Sequence, residues 1–143
     1  KICSFGNWHK EYTPEILGLE LPLFSAKLGI PGRVDCVAKI NGEIYVIDWK
    51  SSRNMHLPYH LQVAGYAQAL EEMTDLKVDN TAVFQMGASN KNGYRFVVEP
   101  DWKSNIEVLK SVYRTWTYDN KREGAKKVEA PIITLPETVK LEL

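Results

Sequence analysis

The stretch RVDCVAKI-NG-EIYVIDWK, residues 33–50, decides how this chain folds. Asn41-Gly42 separates two runs rich in β-branched and aromatic residues, and Asn-Gly is the strongest short hairpin signal because a type I′ turn needs positive φ at both central positions. A two-residue loop also sets the register: Ile40 faces Glu43, and each residue further from the turn faces its counterpart. Carried to the open end, that register sets Asp35 against Asp48 and Arg33 against Lys50. The two-residue period of a strand gathers Arg33, Asp35, Asp48 and Lys50 on one face. It leaves Val34, Cys36, Ala38, Ile40, Tyr45, Ile47 and Trp49 on the other. One face reads as core, and the other concentrates charge at one end.

Two directly opposed aspartates repel, at a cost comparable to the ~0.2–1 kcal/mol of ordinary cross-strand pairs and larger where burial weakens screening. A hard divalent cation, Mg²⁺ or Mn²⁺, relieves that repulsion, since it prefers carboxylate oxygens and is held by one or two of them plus water and phosphate. Lys50, two residues beyond Asp48 on the same face, sets an ammonium beside a metal-bound phosphate. That combination suits phosphodiester hydrolysis: the metal lowers the pKa of a water and stabilises charge developing on phosphorus, while the lysine orients the water or supports the transition state. A solvated, mutually neutralising patch is the other reading of the same four charges. A bulge in either strand would dissolve the pairing.

Working outward, residues Phe5 to Tyr12 are aromatic-rich and read as a short helix ended by Pro14. Leu17, Leu19, Leu21 and Leu23 alternate with other residues, Glu20 among them, as in a strand with one buried face. Pro58 opens an amphipathic helix to about Met73. Thr81–Met86 and Tyr94–Val98 read as strands separated by a loop from Gly87 to Gly93. Pro100-Asp101 starts a helix to about Glu123, with Trp102 and Trp116 as core anchors. The tail from Val128 to Leu143, with Pro131 and Pro136, reads as an edge strand or an extended arm. This order predicts an α/β (α+β) fold: one domain over residues 1–143, with a central mixed β-sheet that carries the hairpin and is flanked by helices. The chain begins at Lys1 without a methionine, so its N-terminus is taken as incomplete.

With 143 residues, 44% hydrophobic and 25% charged, the composition excludes a disordered or collagen-like chain. No apolar run approaches the ~20 residues of a membrane helix and no signal peptide is present, so a soluble, intracellular protein is expected. Cys3 and Cys36 are too few for a disulfide scaffold or a four-cysteine metal site, and Cys36 falls on the apolar hairpin face as a buried thiol. The balance of 18 Lys plus Arg against 18 Asp plus Glu argues against gripping nucleic acid by a broad basic surface. Affinity for a polyanion would then depend on a metal and a few local basic residues.

Gly32-Arg33-Val34-Asp35, then Val46-Ile47-Asp48-Trp49-Lys50-Ser51-Ser52, then Gln62-Val63-Ala64-Gly65-Tyr66 resemble the PD-(D/E)XK nuclease superfamily. The likeness spans Leu19 to Leu70 and is greatest to the RecB-like and viral exonuclease branch, whose pattern is an early glutamate, G-x-x-D, D-x-K and a helix bearing Q-x-x-x-Y. The resemblance implies a restriction-endonuclease-like fold and a Mg²⁺- or Mn²⁺-dependent DNA nuclease. It points to an exonuclease of viral or bacterial recombination and DNA processing, working in the cytoplasm of a bacterium or of a virus-infected cell. An endonuclease of the same superfamily and a catalytically inactive nucleic-acid-binding module are the alternatives. Carried over residue by residue, Asp35 and Asp48 are metal ligands, joined by the backbone carbonyl of Trp49, and Glu20 supports the metal or its water. Lys50 is the catalytic lysine. Gln62 and Tyr66, one helical turn apart, border the active site, and Tyr59 lies near the same stripe.

The chain also departs from that branch. Many members carry a metal-binding histidine on an upstream helix; no such helix is placed before Glu20, and His9 reads as part of a packed aromatic cap. His56, His60, Arg53 and Asn54 are candidate substrate contacts around the start of the motif helix. Lys121, Arg122, Lys126 and Lys127 either complement a helix C-terminus or touch phosphate.

Overall fold

The aromatic spacing near the N-terminus makes a helix, α1 (Ile2–Tyr12), which presents Trp8 and Tyr12 to one side. In the computed structural model the described residues are 2–51, 57–87 and 93–122, without the side chains of residues 2, 3, 57, 58, 117 and 120–122. Thr13 ends α1 in the left-handed region (φ 41°), with its amide donating to the His9 carbonyl over 2.9 Å, and Pro14 prevents continuation. There follow β1 (Glu15–Ser25), β2 (Ile30–Ile40), β3 (Glu43–Lys50), α2 (Leu57–Met73), β4 (Asn80–Met86), β5 (Tyr94–Glu99) and α3 (Trp102–Arg122). This is the element order expected from the sequence, the short helix before Glu20 included.

The five strands form one sheet in sequential order. All neighbours are antiparallel except β3 and β4, which run parallel and are joined by the α2 crossover. The sheet is therefore mixed, as the sequence predicted. Helices α2 and α3 cover one face, where Val37, Val46 and Val83 pack with Val63, Ala67, Leu70 and Trp102. Helix α1 covers the other, where Trp8 meets Ala38, Ile47 and Phe84. The Asn41-Gly42 turn has positive φ at both residues, 50° and 82°, and the register runs as expected from Ile40↔Glu43 to Cys36↔Ile47.

Four expectations need correction. The β2–β3 ladder stops at Cys36↔Ile47, one pair short of Asp35 and Asp48. Val34 belongs to the core under α2, on the opposite side from Cys36. In β1, Leu19 is 56% exposed, whereas Leu17, Leu21 and Leu23 pack under α2. The last two trace to two irregularities in β1. The first is a bulge between Ile16 and Gly18, which sets Leu17 on the α2 side and Leu19, opposite Cys36, on the other. The second lies between the pairs Leu19↔Cys36 and Leu21↔Val34, where Glu20 adopts φ 50°, so both strands switch the face they present without changing register. The fourth concerns the helices. Helix α2 is not amphipathic in the simple sense, because α3 covers its outer side. Among its described side chains only Gln62 is exposed, and Leu109 of α3 lies 3.1 Å from where a Cβ on Gly65 would stand. Trp102 anchors α3, 1% exposed with its indole donating to the Val78 carbonyl, but Trp116 is only half-buried and stacks on Tyr113.

Candidate active site

Asp48 is the innermost charge of the sheet. It sits on the central strand β3, paired on one side with β4, and alternation between Val46 and Ile47 turns it toward α2. It is 4% exposed. Burial first, and then the neighbouring Asp35 carboxyl, push the Asp48 carboxyl up to about 7, against the pull of the Lys50 ammonium. Lys50 Nζ stands 2.8 Å from Asp48 Oδ2, but off the line a hydrogen bond needs, so that buried oxygen has a charge beside it and no aligned donor.

Asp35 reaches the same place by a different route. Where the ladder ends, its Oδ2 accepts the Trp49 amide at 2.8 Å, so the side chain takes over a backbone group that the parting strand abandons. The indole of Trp49 points the other way, edge-on to Trp8, Phe5 and Phe84. The backbone of Trp49 is thereby held from both sides of the sheet.

Helix α2 supplies the wall. Lys50 Nζ donates to Gln62 Oε1 over 3.5 Å and lies 4.5 Å above the Tyr59 ring, a cation–π contact that steers the ammonium. Tyr66 packs onto Gly32, where a Cβ would stand 2.4 Å from Tyr66 Cε1; no larger residue leaves room for the ring. Burial, with the negative charge of Asp48 and Asp35, pushes the Tyr66 hydroxyl up to about 12, so it stays protonated at neutral pH and keeps a proton to donate. Gln62 and the partly open Lys50 side chain mark the mouth of the site.

The structure thus brings together Asp35, Asp48, Lys50, Tyr59, Gln62 and Tyr66. Glu20 stands across from Asp35 in the β1–β2 register, exposed and in the left-handed region. Among the described residues no three His, Cys, Asp or Glu side chains converge, so its carboxylate does not complete a three-acid cluster. His9 lies on α1, against the opposite face, in ring contact with Phe5. Cys36 is buried, as expected; burial, then the Asp35 charge, push its thiol up to about 12. Arg53, Asn54, His56, Lys126, Lys127, the tail from Val128 and the side chains of Cys3, Lys121 and Arg122 fall outside what is described. Sequence reasoning missed the Asp35 bond to Trp49, for which no residue pattern signals, and the contact between Gly32 and Tyr66, which the glycine alone hints at.

The donor chemistry fits a divalent cation. Two adjacent carboxylates, one with a buried oxygen lacking an aligned donor, offer the hard oxygen donors that Mg²⁺ or Mn²⁺ favours, with coordination completed by water and phosphate.

A mixed sheet with paired carboxylates and a lysine at the open end of a central hairpin defines a class of nuclease folds. A family model of the PD-(D/E)XK nuclease superfamily matches residues 2–132, and the chain belongs to that superfamily. Its members are nucleases, and they typically use divalent metals. No curated protein matches the chain significantly. No helix among the described residues is long and apolar enough to cross a membrane.

Proposed function

We propose that this chain is a divalent-metal-dependent deoxyribonuclease, an exonuclease acting in viral or bacterial DNA recombination or processing, in the cytoplasm. The observation that carries the reading is the Lys50 ammonium 2.8 Å from a buried, otherwise unaligned Asp48 oxygen, with Asp35 beside it. Asp35, Asp48 and the Trp49 carbonyl would hold Mg²⁺ or Mn²⁺, and Glu20 would support it or its water. When bound, the cation supplies Lewis-acid stabilisation of the phosphate and a more acidic water.

The residues of the chain do the rest. Lys50, steered by Tyr59 and Gln62, donates to a non-bridging phosphate oxygen and offsets the charge that builds there as water attacks phosphorus and the ester bond breaks. Tyr66, held protonated, donates to the phosphate or to the carboxylates behind it. The low exposure of Asp48 keeps bulk water from screening these charges.

The decisive experiment incubates linear and covalently closed circular DNA with Mg²⁺ or Mn²⁺. Loss of the linear DNA alone supports an exonuclease, nicking of the circle an endonuclease of the same superfamily. Lys50→Ala is expected to abolish either. Intact DNA under both metals, with DNA still bound, would establish an inactive binding module instead.

A further inference from the structure

Between the turn of residues 26–29, which joins β1 to β2, and α3 lies a groove of about 270 Å³. Among the described residues three cations line it, Lys27, Lys110 and Arg114, and no carboxylate; Ile30 and Leu109 form its apolar wall and Tyr113 its aromatic one. For a chain of zero net charge that is a marked local segregation. Among the described residues neither Lys27 nor Arg114 is ion-paired, and Lys110 meets only the exposed Glu107, an i,i+3 contact of 3.2 Å.

The groove is built rather than incidental. Ser25, 1% exposed, accepts the Leu28 amide and donates to Glu72 of α2, whose other oxygen accepts the Lys27 amide at 3.0 Å. These bonds hold the turn that presents Lys27 across from α3. At about 270 Å³ the groove lies just below the ~300–1,000 Å³ of pockets that enclose a small molecule. It also adjoins the cleavage centre. Ile30 precedes Gly32, on which Tyr66 rests, and Leu109 faces Gly65 next to Tyr66. Five residue steps along β2 take Ile30 to Asp35, about 16 Å at the usual ~3.3 Å rise, which is no more than about five nucleotides of a stacked strand.

We propose that this groove seats a single nucleic-acid strand flanking the scissile phosphate. Lys27, Lys110 and Arg114 contact its phosphates. Tyr113, 45% exposed and stacked on Trp116 with ring centroids 5.9 Å apart, offers a platform to a base. The proposal rests on the nuclease reading and names the path of its substrate. An acidic peptide would satisfy the cations equally but has no use for the aromatic platform.

The test is a titration of a fluorescent oligodeoxythymidylate of about 12 nucleotides, within single-strand site sizes, in EDTA from about 50 to 200 mM salt. Because nothing is cleaved in EDTA, a chain that proves inactive still answers it, and the hydrolysis assays above judge the nuclease reading separately. The triple variant Lys27→Ala/Lys110→Ala/Arg114→Ala is expected to flatten the slope of log K against log salt by about 2, some 0.7 per cation removed. Tyr113→Ala should weaken binding roughly tenfold at fixed salt. A second triple variant, Lys10→Ala/Lys39→Ala/Lys77→Ala, removes the same charge elsewhere and should leave the slope unchanged. The proposal is overturned by an unchanged slope in the groove variant, by an equal loss in the second triple variant, or by poly-glutamate displacing the oligonucleotide at matched charge.

Discussion

The Asp35 carboxylate accepts the backbone amide of Trp49 at 2.8 Å, so the two strands that stop pairing at Cys36 and Ile47 stay joined through a side chain. The same carboxylate lies beside Asp48, which gives Asp35 both a structural task and a place in the proposed metal site.

Substitution can separate those tasks. Asp35→Asn keeps an oxygen acceptor for the Trp49 amide, whereas Asp35→Ala leaves that amide without its partner. Asp35→Ala should lose about 1–3 kcal/mol of stability in urea unfolding and Asp35→Asn clearly less. Both should abolish divalent-cation binding by calorimetry. Equal stability losses would show that the bond contributes nothing to the fold.

The pH dependence of the metal-free protein follows from Asp48. Its carboxyl is raised from 3.8 to about 7, so between those values the folded state binds more protons than the unfolded state. The contribution of Asp48 to stability is then full below about pH 4 and is lost as pH rises to about 7, up to a few kcal/mol. Chemical denaturation in EDTA should record this decline, and Asp48→Asn should flatten it. Saturating Mg²⁺ should reverse it, since the cation favours the ionised carboxylate.

Lys50 compensates the same buried charge. Lys50→Ala should cost about 1–3 kcal/mol at pH 8, where Asp48 is ionised, and much less at pH 5, where it is protonated. Parallel urea titrations at the two pH values measure the difference; a loss independent of pH would remove Asp48 as its origin.

Gly32 and Tyr66 form a packed pair that tolerates no added carbon. Gly32→Ala sets a methyl 2.4 Å from the Tyr66 ring and should destabilise by about 1–3 kcal/mol. In a double-mutant cycle, Tyr66→Leu should recover most of that loss, and purely additive effects would contradict the contact.

Cys36 is both buried and held far above the ordinary thiol range, at about 12. In a Cys3→Ser background, the native protein should not react with a thiol-specific chromogenic reagent at pH 8, and denaturation should release one equivalent.

Much of this architecture is local and therefore readable from residue order. The Asn41-Gly42 turn carries its register because positive φ at two adjacent positions admits few residue types, and Pro14 and Pro58 mark helix boundaries by lacking an amide donor. The faces of β1 and β2 were legible only in part, because an alternating pattern assumes an extended, unbulged backbone at every residue. The bulge between Ile16 and Gly18 moves Leu19 off the side of Leu17, and the left-handed Glu20 returns Leu21 to it and carries Val34 to the side opposite Cys36. Helix α2 escaped a periodicity argument for another reason: once α3 covers its outer side, nearly every position is apolar or small and little periodic contrast remains.

The residue order alone determined the hairpin and the nuclease motif: Asp35, Asp48 and Lys50 at fixed spacing, with Gln62 and Tyr66 one helical turn apart. Only the tertiary structure decided that Asp48 is buried, that Asp35 stands in for a missing ladder bond, and that Lys50 is steered by Tyr59. Only it brought Lys27 to within one groove of Lys110 and Arg114, some eighty residues along the chain. Spacing along a strand or helix is set by backbone geometry, whereas the charge state of a carboxylate and the company of a lysine depend on which distant elements exclude water from them.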